Sequence, residues 1–432
     1  MKQKIQGPKG TRDFYPQDMA WRNYITDAWR KVSERNGFEQ VDGPIFESLE
    51  LYKVKSGQEI VSELFHFEDR GQRQLAIRPE FTPTLARMIA SKANALTKPI
   101  KWFCTSNFCR AERPQRGRLR EFWQWNVDLV GLDGPQADAE VIFTAIDLLR
   151  QLGLTPKDIK VKISHRITVK DILTKLNVPQ EKMDQAFKLL DGRDKMSPEI
   201  FAQKAQELGL NKDNAQKFDD ACAKTYSGDS LQDLCKAIGL NDIPQLSQLH
   251  QQLKNFDIAQ WCEFDLGIVR GLAYYTGMVF EIHETQGAER ALAGGGRYDQ
   301  LIQMFGGPAI PACGFGMGDV VLGLVLQDKN LVPERIQTAP DFFVIATTDL
   351  GNEQLIPLVS KLRWAGRHAR FSYKTTRNLG KLMKEASASG AAFAIILDDK
   401  IKEGILTLKD LVNSEQQECP LIDLIEKMGN RI

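Results

Sequence analysis

The sequence predicts two folding units: an α+β unit interrupted by a helical insertion, and a small α/β unit near the C-terminal end. Three observations carry that prediction. Strand and helix patterns mix over residues 1–166 and again over 256–330. Between them, residues 167–255 turn rich in Lys, Gln, Asp and Ala and carry few strand signals. Beyond a polar stretch at 327–341, strands and helices alternate over about ninety residues, as in a small layered domain.

Each element follows from its local pattern. Residues 1–17 are polar with glycine and proline, and are expected to be extended or looped. Over 18–36, Trp21, Ile25, Ala28, Trp29 and Val32 recur at helical spacing, with Asp18 as N-cap and Gly37 as the stop. A short strand closed by Pro44 is expected within "FEQVDGPIFESLELY". A strand near 73 passes into a helix after Pro83. Two strands, 99–109 and 121–130, flank an arginine-rich loop. A helix over 138–153 and a strand over 158–166 complete this part. Strand patterns resume over 264–284, glycines cluster at 294–296, and 313–326 is glycine-rich, then helical. In the C-terminal unit the expected order is strand 342–347, helix 353–366, strand 369–373, helix 378–389, then strands 391–397 and 405–408.

Composition removes several function classes. The chain of 432 residues has a formal net charge of +1, so any contact with nucleic acid must come from local patches. Seven cysteines form no C-x-x-C pair, which argues against a disulfide framework or a four-thiolate zinc site. The five histidines show no metal-ligand spacing, so no protein-bound metal is expected. No apolar run approaches the roughly 18 residues of a membrane helix, and no signal or transit segment is evident. The expectation is a soluble, cytoplasmic protein with no membrane partner.

The stretch "FCRAERPQRGRLREFWQW" (108–125) holds five arginines and two glutamates between aromatic flanks. A solvated hairpin tip would account for the charge alone. The absence of lysine does not fit that reading, because arginine suits bidentate phosphate contact. Glu112 would add nothing to a plain anion clamp, and Gly117 lets the loop bend back over a ligand. Arginines for phosphates, Phe122 for stacking and a glutamate for a base amino group suit a nucleoside triphosphate. No P-loop pattern is present, so a P-loop is excluded, and no G-x-G-x-x-G follows a strand and opens a helix, so a Rossmann site is not expected.

The same stretch resembles motif 2 of the class II aminoacyl-tRNA synthetases, and its R-x-E-R-P-Q-x-G-R form is similar to the histidyl-tRNA synthetase family. "GFEQVDGPIFE" resembles motif 1, "IRPEFTPTLAR" the R-P-E-x-T segment, and "GFGMGDVVLGLVL" motif 3. "VRGLAYYTGMVFEI" and "AGGGRYDQLI" resemble the two segments peculiar to the histidine enzymes. The C-terminal block resembles their anticodon-binding domain. The resemblance implies a six-stranded antiparallel catalytic sheet with flanking helices, formed by 1–166 and 256–330, a helical insertion at 167–255, and an anticodon-binding domain at 341–432. It implies a homodimer, with Pro44 at the dimer motif. It implies activation of L-histidine by ATP, with Mg²⁺ on the ATP oxygens, and transfer to the 3′ end of the histidine tRNA.

Roles carry over residue by residue. Arg110 matches the arginine bridging the α-phosphate and the substrate carboxylate, and Arg270 the second catalytic arginine opposite it. Arg118 matches the γ-phosphate arginine, Glu112 the acceptor for the adenine amino group, and Phe122 the stacking platform. Glu80 and Thr82 match positions holding the α-amino group; Gln124, Asp128, Tyr274, Tyr275 and Tyr298 match histidine-binding positions. Tyr274 and Tyr275 are expected to alternate faces on a strand, leaving one for the ring and one for the core. Arg113, Gln115 and Arg116 are tRNA-contact candidates. The chain departs from the family at Val321, where motif 3 usually carries an arginine that packs on ATP, at Asp128 for Glu, at Ala273 for Asp and at Phe81 for Gly. "DKMSPE" (194–199) resembles a class I synthetase loop but has no class I partner motif, and Ser197–Pro198 reads as an N-cap followed by Pro at N1. The rival reading is the catalytically inactive, histidine-sensing regulatory paralogue that serves ATP phosphoribosyltransferase. A class II synthetase for another amino acid conflicts with R-G-L-x-Y-Y.

Overall fold

The computed structural model describes residues 5–56, 58–193, 196–268, 274–286 and 290–424. The chain divides into two compact units, 1–334 and 335–432.

The first unit opens with α1 (Pro16–Arg35). Tyr15 occupies the N-cap position and Pro16 is N1. Asp18 therefore acts from the first turn instead of the cap: its carboxylate accepts from the Tyr15 N–H at 3.1 Å. The helix stops at Asn36, and Gly37 follows at φ +77°. The strand expected before Pro44 is only β1 (Glu39–Gln40); a second, β2 (Phe46–Ser48), joins a different sheet, and "SLELY" runs into α2 (Leu49–Ser56). Proline lacks the ladder N–H, so Pro44 breaks the run in two. Strands β3 (His66–Glu68) and β4 (Gln74–Ile77) complete a small sheet in the order β2-β4-β3. Helix α3 (Thr82–Lys92) follows, with Pro83 in its first turn.

The large sheet is built from β5 (Ile100–Cys109), β6 (Glu121–Val130), β7 (Ile159–His165), β8 (Cys262–Phe264), β9 (Met278–Glu284), β10 (Ala293–Arg297) and β11 (Ala312–Gly318), together with β1. Its order is β1-β5-β6-β11-β10-β9-β7-β8. The six inner strands pair antiparallel throughout. The short edge strands β1 and β8 pair parallel to β5 and β7. The 294–296 glycine cluster, not expected to be a strand, is the middle of β10.

Period-2 alternation gives this sheet two unlike faces. In "EFWQWNVDLV", Trp125, Val127 and Leu129 point to one side and are buried with Trp29, Val32 and the apolar stripe of α4 (Pro135–Gln151). Trp29 and Trp125 stack at 6.3 Å, and Trp125 Nε1 donates to Ser33 Oγ at 2.8 Å, satisfying the indole inside the core. Phe122, Gln124, Asn126 and Asp128 point to the other side. Between β7 and β8 run α5–α10 (Arg166–Lys175, Met183–Asp191, Pro198–Glu207, Lys212–Cys222, Leu231–Ile238, Pro244–Asn255), whose apolar faces join the same core. Ser197 caps its helix, accepting from the Ile200 N–H at 3.4 Å with Pro198 at N1. The unit closes with α11 (Leu301–Met304) and α12 (Asp319–Asp328).

The second unit is a sheet of β12 (Phe342–Ala346), β13 (Ala369–Phe371), β14 (Phe393–Leu397), β15 (Ile405–Asp410) and β16 (Gln416–Pro420), in the order β13-β12-β14-β15-β16. Helices α13 (Asp349–Trp364) and α14 (Leu379–Ala388) accompany it. Phe342 and Val344 face one apolar cluster, Phe343 and Ile345 another, as expected of a strand covered on both sides. Strand β16, "QQECP", escapes sequence reading because four of its five residues are exposed and it lacks an apolar alternation.

Candidate active site

The polar face of the large sheet floors a cavity of about 490 Å³. Side chains at i, i+2 spacing supply it. Phe122, Gln124 and Asn126 come from β6, Glu281 and His283 from β9, and Gly294 from β10. From β11 come Gly314, Gly316 and Gly318. The β11 glycines have a steric cause. A Cβ on Gly314 would lie 2.6 Å from the Val127 carbonyl oxygen and inside contact distance of the Asp128 carboxylate. One on Gly316 would lie 2.9 Å from Gln124 Cδ. The bare strand makes room for the long polar side chains of its neighbour.

The arginine-rich loop is a tight hairpin beyond β5 and β6, closed by paired Gln115 and Arg118 backbones, with Gly117 at φ +73°. Arg110 leaves the end of β5; its Nε donates to the Pro79 carbonyl at 3.2 Å and its guanidinium lies 5.1 Å from the Phe122 ring centre. Arg110, Arg118 and Phe122 line the cavity. Glu112 does not line it but ion-pairs with Arg118. Arg113, Gln115 and Arg116 are exposed on the outside of the loop, and Arg116 meets Asp328 at 3.5 Å. Glu80 and Thr82, around the start of α3, also line the cavity.

Tyr274, Tyr275 and Tyr298 converge at one end. The Tyr274 and Tyr275 rings lie 4.6 Å apart, tilted by 40°, and Tyr274 meets Tyr298 edge-on at 5.9 Å. The expected split of Tyr274 and Tyr275 between ring and core is not seen. Both precede β9 instead of lying within it, both are buried, and both line the cavity. Tyr275 lies where a Cβ on Gly296 would come within 2.8 Å of its ring, so that glycine admits the tyrosine. The Tyr298 hydroxyl donates to Asp128 Oδ1. Burial pushes the Asp128 carboxyl up to about 7, while the bond from Tyr298 pulls it down. Asp128 thus sits beneath the cavity and reaches it through Tyr298.

Arg270 and Ala273 lie outside the described residues. Pro44 lies between β1 and β2, away from the cavity. Val321 lines the cavity at the first turn of α12. Among the described residues, no three His, Cys, Asp or Glu side chains are grouped to hold a metal ion.

Sequence reasoning missed four groups. Asn126 is buried and lines the cavity; its Oδ1 accepts from Gln124 Nε2 at 2.7 Å, and its Nδ2 has no partner among the described residues. It shares the β6 face of positions 122, 124 and 128, which the resemblance named, but the resemblance did not point to it. Glu281 and His283 pair at 2.9 Å on β9. Arg290 lines the cavity from the approach to β10. Arg297, buried next to Tyr298, pairs with Asp138 at 2.8 Å and Asp299 at 3.1 Å and donates to the Gly134 carbonyl at 3.0 Å. This cluster ties β10 to the start of α4, and nothing local in "GGGRYD" signals partners so distant in sequence.

The comparisons agree with this architecture. A family model described as histidyl-tRNA synthetase matches residues 10–318, and one described as an anticodon binding domain matches 341–431. The histidine–tRNA ligase of Opitutus terrae is 37% identical over 425 residues, covering 96% of each chain. The crystal structure of histidyl-tRNA synthetase from Nostoc sp. PCC 7120 superposes with a TM-score of 0.80 over the whole of both chains at 24% identity. A Bacillus halodurans structure, titled as an ATP phosphoribosyltransferase regulatory subunit/histidyl-tRNA synthetase, reaches 0.75 at 22% identity, over 92% of this chain and 99% of that one. At these identities the two structures speak for the fold alone; the model match and the 37% relative speak for the family. The chain belongs to the histidyl-tRNA synthetase family.

Proposed function

We propose that this chain is a histidine–tRNA ligase. It joins L-histidine to ATP, releasing pyrophosphate, and passes the histidyl group to the 3′ end of a histidine tRNA. The observation that carries this reading is the single cavity that gathers Arg110, Arg118, Glu80, Gln124 and three tyrosines on one sheet face. A carboxylate oxygen of histidine attacks the α-phosphorus, and the bond to the bridging oxygen breaks with its electron pair leaving on pyrophosphate. In the second step the terminal tRNA hydroxyl attacks the acyl carbon and AMP leaves. No protein nucleophile is needed. The work is alignment of two anions and neutralisation of charge in the transition state.

Arg110 bridges the two reacting anions, and Arg270 completes the clamp from the opposite side. Arg118 holds the tail of ATP, with Glu112 keeping it in place until the adenine amino group takes that carboxylate. Phe122 carries the base. Glu80 and Thr82 take the α-amino group. Gln124, Asn126 and the Tyr298–Asp128 pair read the imidazole, aided by Tyr274 and Tyr275. A neutral imidazole has one donor and one acceptor, so an analogue lacking either leaves a polar group unpaired, at about 1–3 kcal/mol. Mg²⁺ comes with the triphosphate. Its carboxylate donors in the cavity would be Glu281 and Glu80, which suits an ion held mainly by phosphates. When bound it neutralises charge on the leaving pyrophosphate.

Arg113, Gln115 and Arg116 face outward for the tRNA acceptor end, and residues 341–432 read its anticodon. The enzyme works as a homodimer through the segment around Pro44. In support, Ile45, Phe46, Phe65 and Phe67 expose an apolar face on the small sheet. A cytoplasmic location fits seven free thiols. The regulatory reading is favoured only by Val321; the second unit and the intact Arg110, Glu112 and Arg118 favour the ligase. The test is pyrophosphate exchange into ATP with each of the twenty amino acids. Exchange with histidine alone is expected. Histidine binding without exchange would move the assignment to the sensor.

A further inference from the structure

We propose that Arg290 binds the polyphosphate of ATP and supplies the positive charge that Val321 does not. The inference rests on the ligase reading and adds a binding residue to its ATP site. Its first support is place. Strands β10 and β11 pair antiparallel up to Ala293 opposite Met317, and just beyond those ends Arg290 and, in the first turn of α12, Val320 and Val321 line the same cavity. A cation at 290 therefore reaches the cavity wall that the two valines leave apolar.

Its second support is continuity: the whole approach to β10, from Arg290 to Gly294, lines the cavity. The third is charge. Arg290, Arg118 and Arg110 are near enough to act on one another electrostatically, with Glu112 and Glu281 as opposing charges. Glu112 already pairs with Arg118, and Glu281 with His283. Three guanidinium groups around one cavity repel each other unless an anion joins them. Arg290 is exposed at the mouth and forms no hydrogen bond or ion pair among the described residues, so its donors are available to that anion. An α-phosphate between the reacting groups is Arg110's partner, which leaves the β- and γ-phosphates to Arg118 and Arg290.

The test is calorimetric titration of the full-length wild type, Arg290→Ala and Arg290→Lys with ATP and, separately, with AMP. Thermal melts confirm that the variants fold. Arg290→Ala should bind ATP about tenfold to a hundredfold more weakly, the loss of one charge-assisted contact, with AMP affinity within about twofold. Arg290→Lys should fall between. Adding Val321→Arg to Arg290→Ala should recover ATP affinity. Unchanged ATP affinity in Arg290→Ala, or equal weakening of ATP and AMP, overturns the proposal. These readouts do not need turnover. A wild type that binds ATP in this pattern but lacks histidine-dependent exchange refutes the ligase reading while leaving the assignment of Arg290 standing.

Discussion

Replacing Gly316 with alanine tests whether β11 is bare in order to seat Gln124. The new Cβ would stand 2.9 Å from Gln124 Cδ and 3.2 Å from Asn126 Oδ1, and closer still to the Gln124 amide nitrogen. Carbon atoms prefer about 3.5–4.0 Å, so the amide has to swing away by roughly an ångström. All the crowded atoms belong to side chains, so the backbone can stay. The swing costs the 2.7 Å hydrogen bond to Asn126, about 0.5–1.5 kcal/mol. Alanine in place of a strand glycine returns about 0.5–1 kcal/mol. Stability should therefore change by no more than about 1 kcal/mol. Histidine recognition should suffer more. A displaced amide forfeits one polar contact, about 1–3 kcal/mol, so kcat/KM for histidine should fall roughly fivefold to 150-fold. The assay is histidine-dependent pyrophosphate exchange beside thermal melts. Gln124→Ala should match Gly316→Ala, and the double variant should be no worse than either alone. A wild-type kcat/KM in Gly316→Ala, or additive losses in the double variant, would refute the reasoning.

Other perturbations follow from the same geometry. Arg297→Met should destabilise the first unit by about 3–5 kcal/mol, because it strands buried Asp138 without its partner. Adding Asp138→Asn should recover part of that loss in a chemical denaturation curve. Asp128 binds its proton more tightly folded than unfolded, since burial raises its carboxyl to about 7. The stability it contributes is therefore complete below about pH 4 and is lost as pH rises through about 7. Melting temperatures of wild type and Asp128→Asn should diverge in the variant's favour between these limits and run parallel above pH 8; a constant difference across the range would refute the shift. Tyr298→Phe removes the bond that lowers this carboxyl, so it should move the wild-type window to higher pH.

Much of this was legible in the sequence because local patterns carried it. The 3.6-residue spacing of Trp21 to Val32 gave α1, and "EFWQWNVDLV" read as a strand, though its two faces emerged only with the structure. The arginine loop announced an anion through its composition. What stayed hidden depends on distant partners. Strand β10 is mostly glycine and exists because β9 and β11 flank it. Asp18 proved to cap from inside the first turn because Pro16 had already started the helix. Arg290 belongs to no quoted motif, and Glu281, though inside "VRGLAYYTGMVFEI", carried no role there; only the fold brings both to the cavity of the arginine loop. Arg270, the strongest carry-over from the histidine-specific segment, lies outside the described residues and rests on the resemblance.

The glycines of β11 also bear on how this pocket could be altered. A floor made of hydrogen atoms has no smaller residue to fall back on, so every replacement at 314, 316 or 318 adds bulk and takes volume from the substrate. Room for a different amino acid cannot be gained there. It has to be gained across the ladder, at 124, 126 and 128, where side chains can be shortened or exchanged. Libraries aimed at new substrate preference should therefore vary the three β6 positions and hold the three β11 positions fixed.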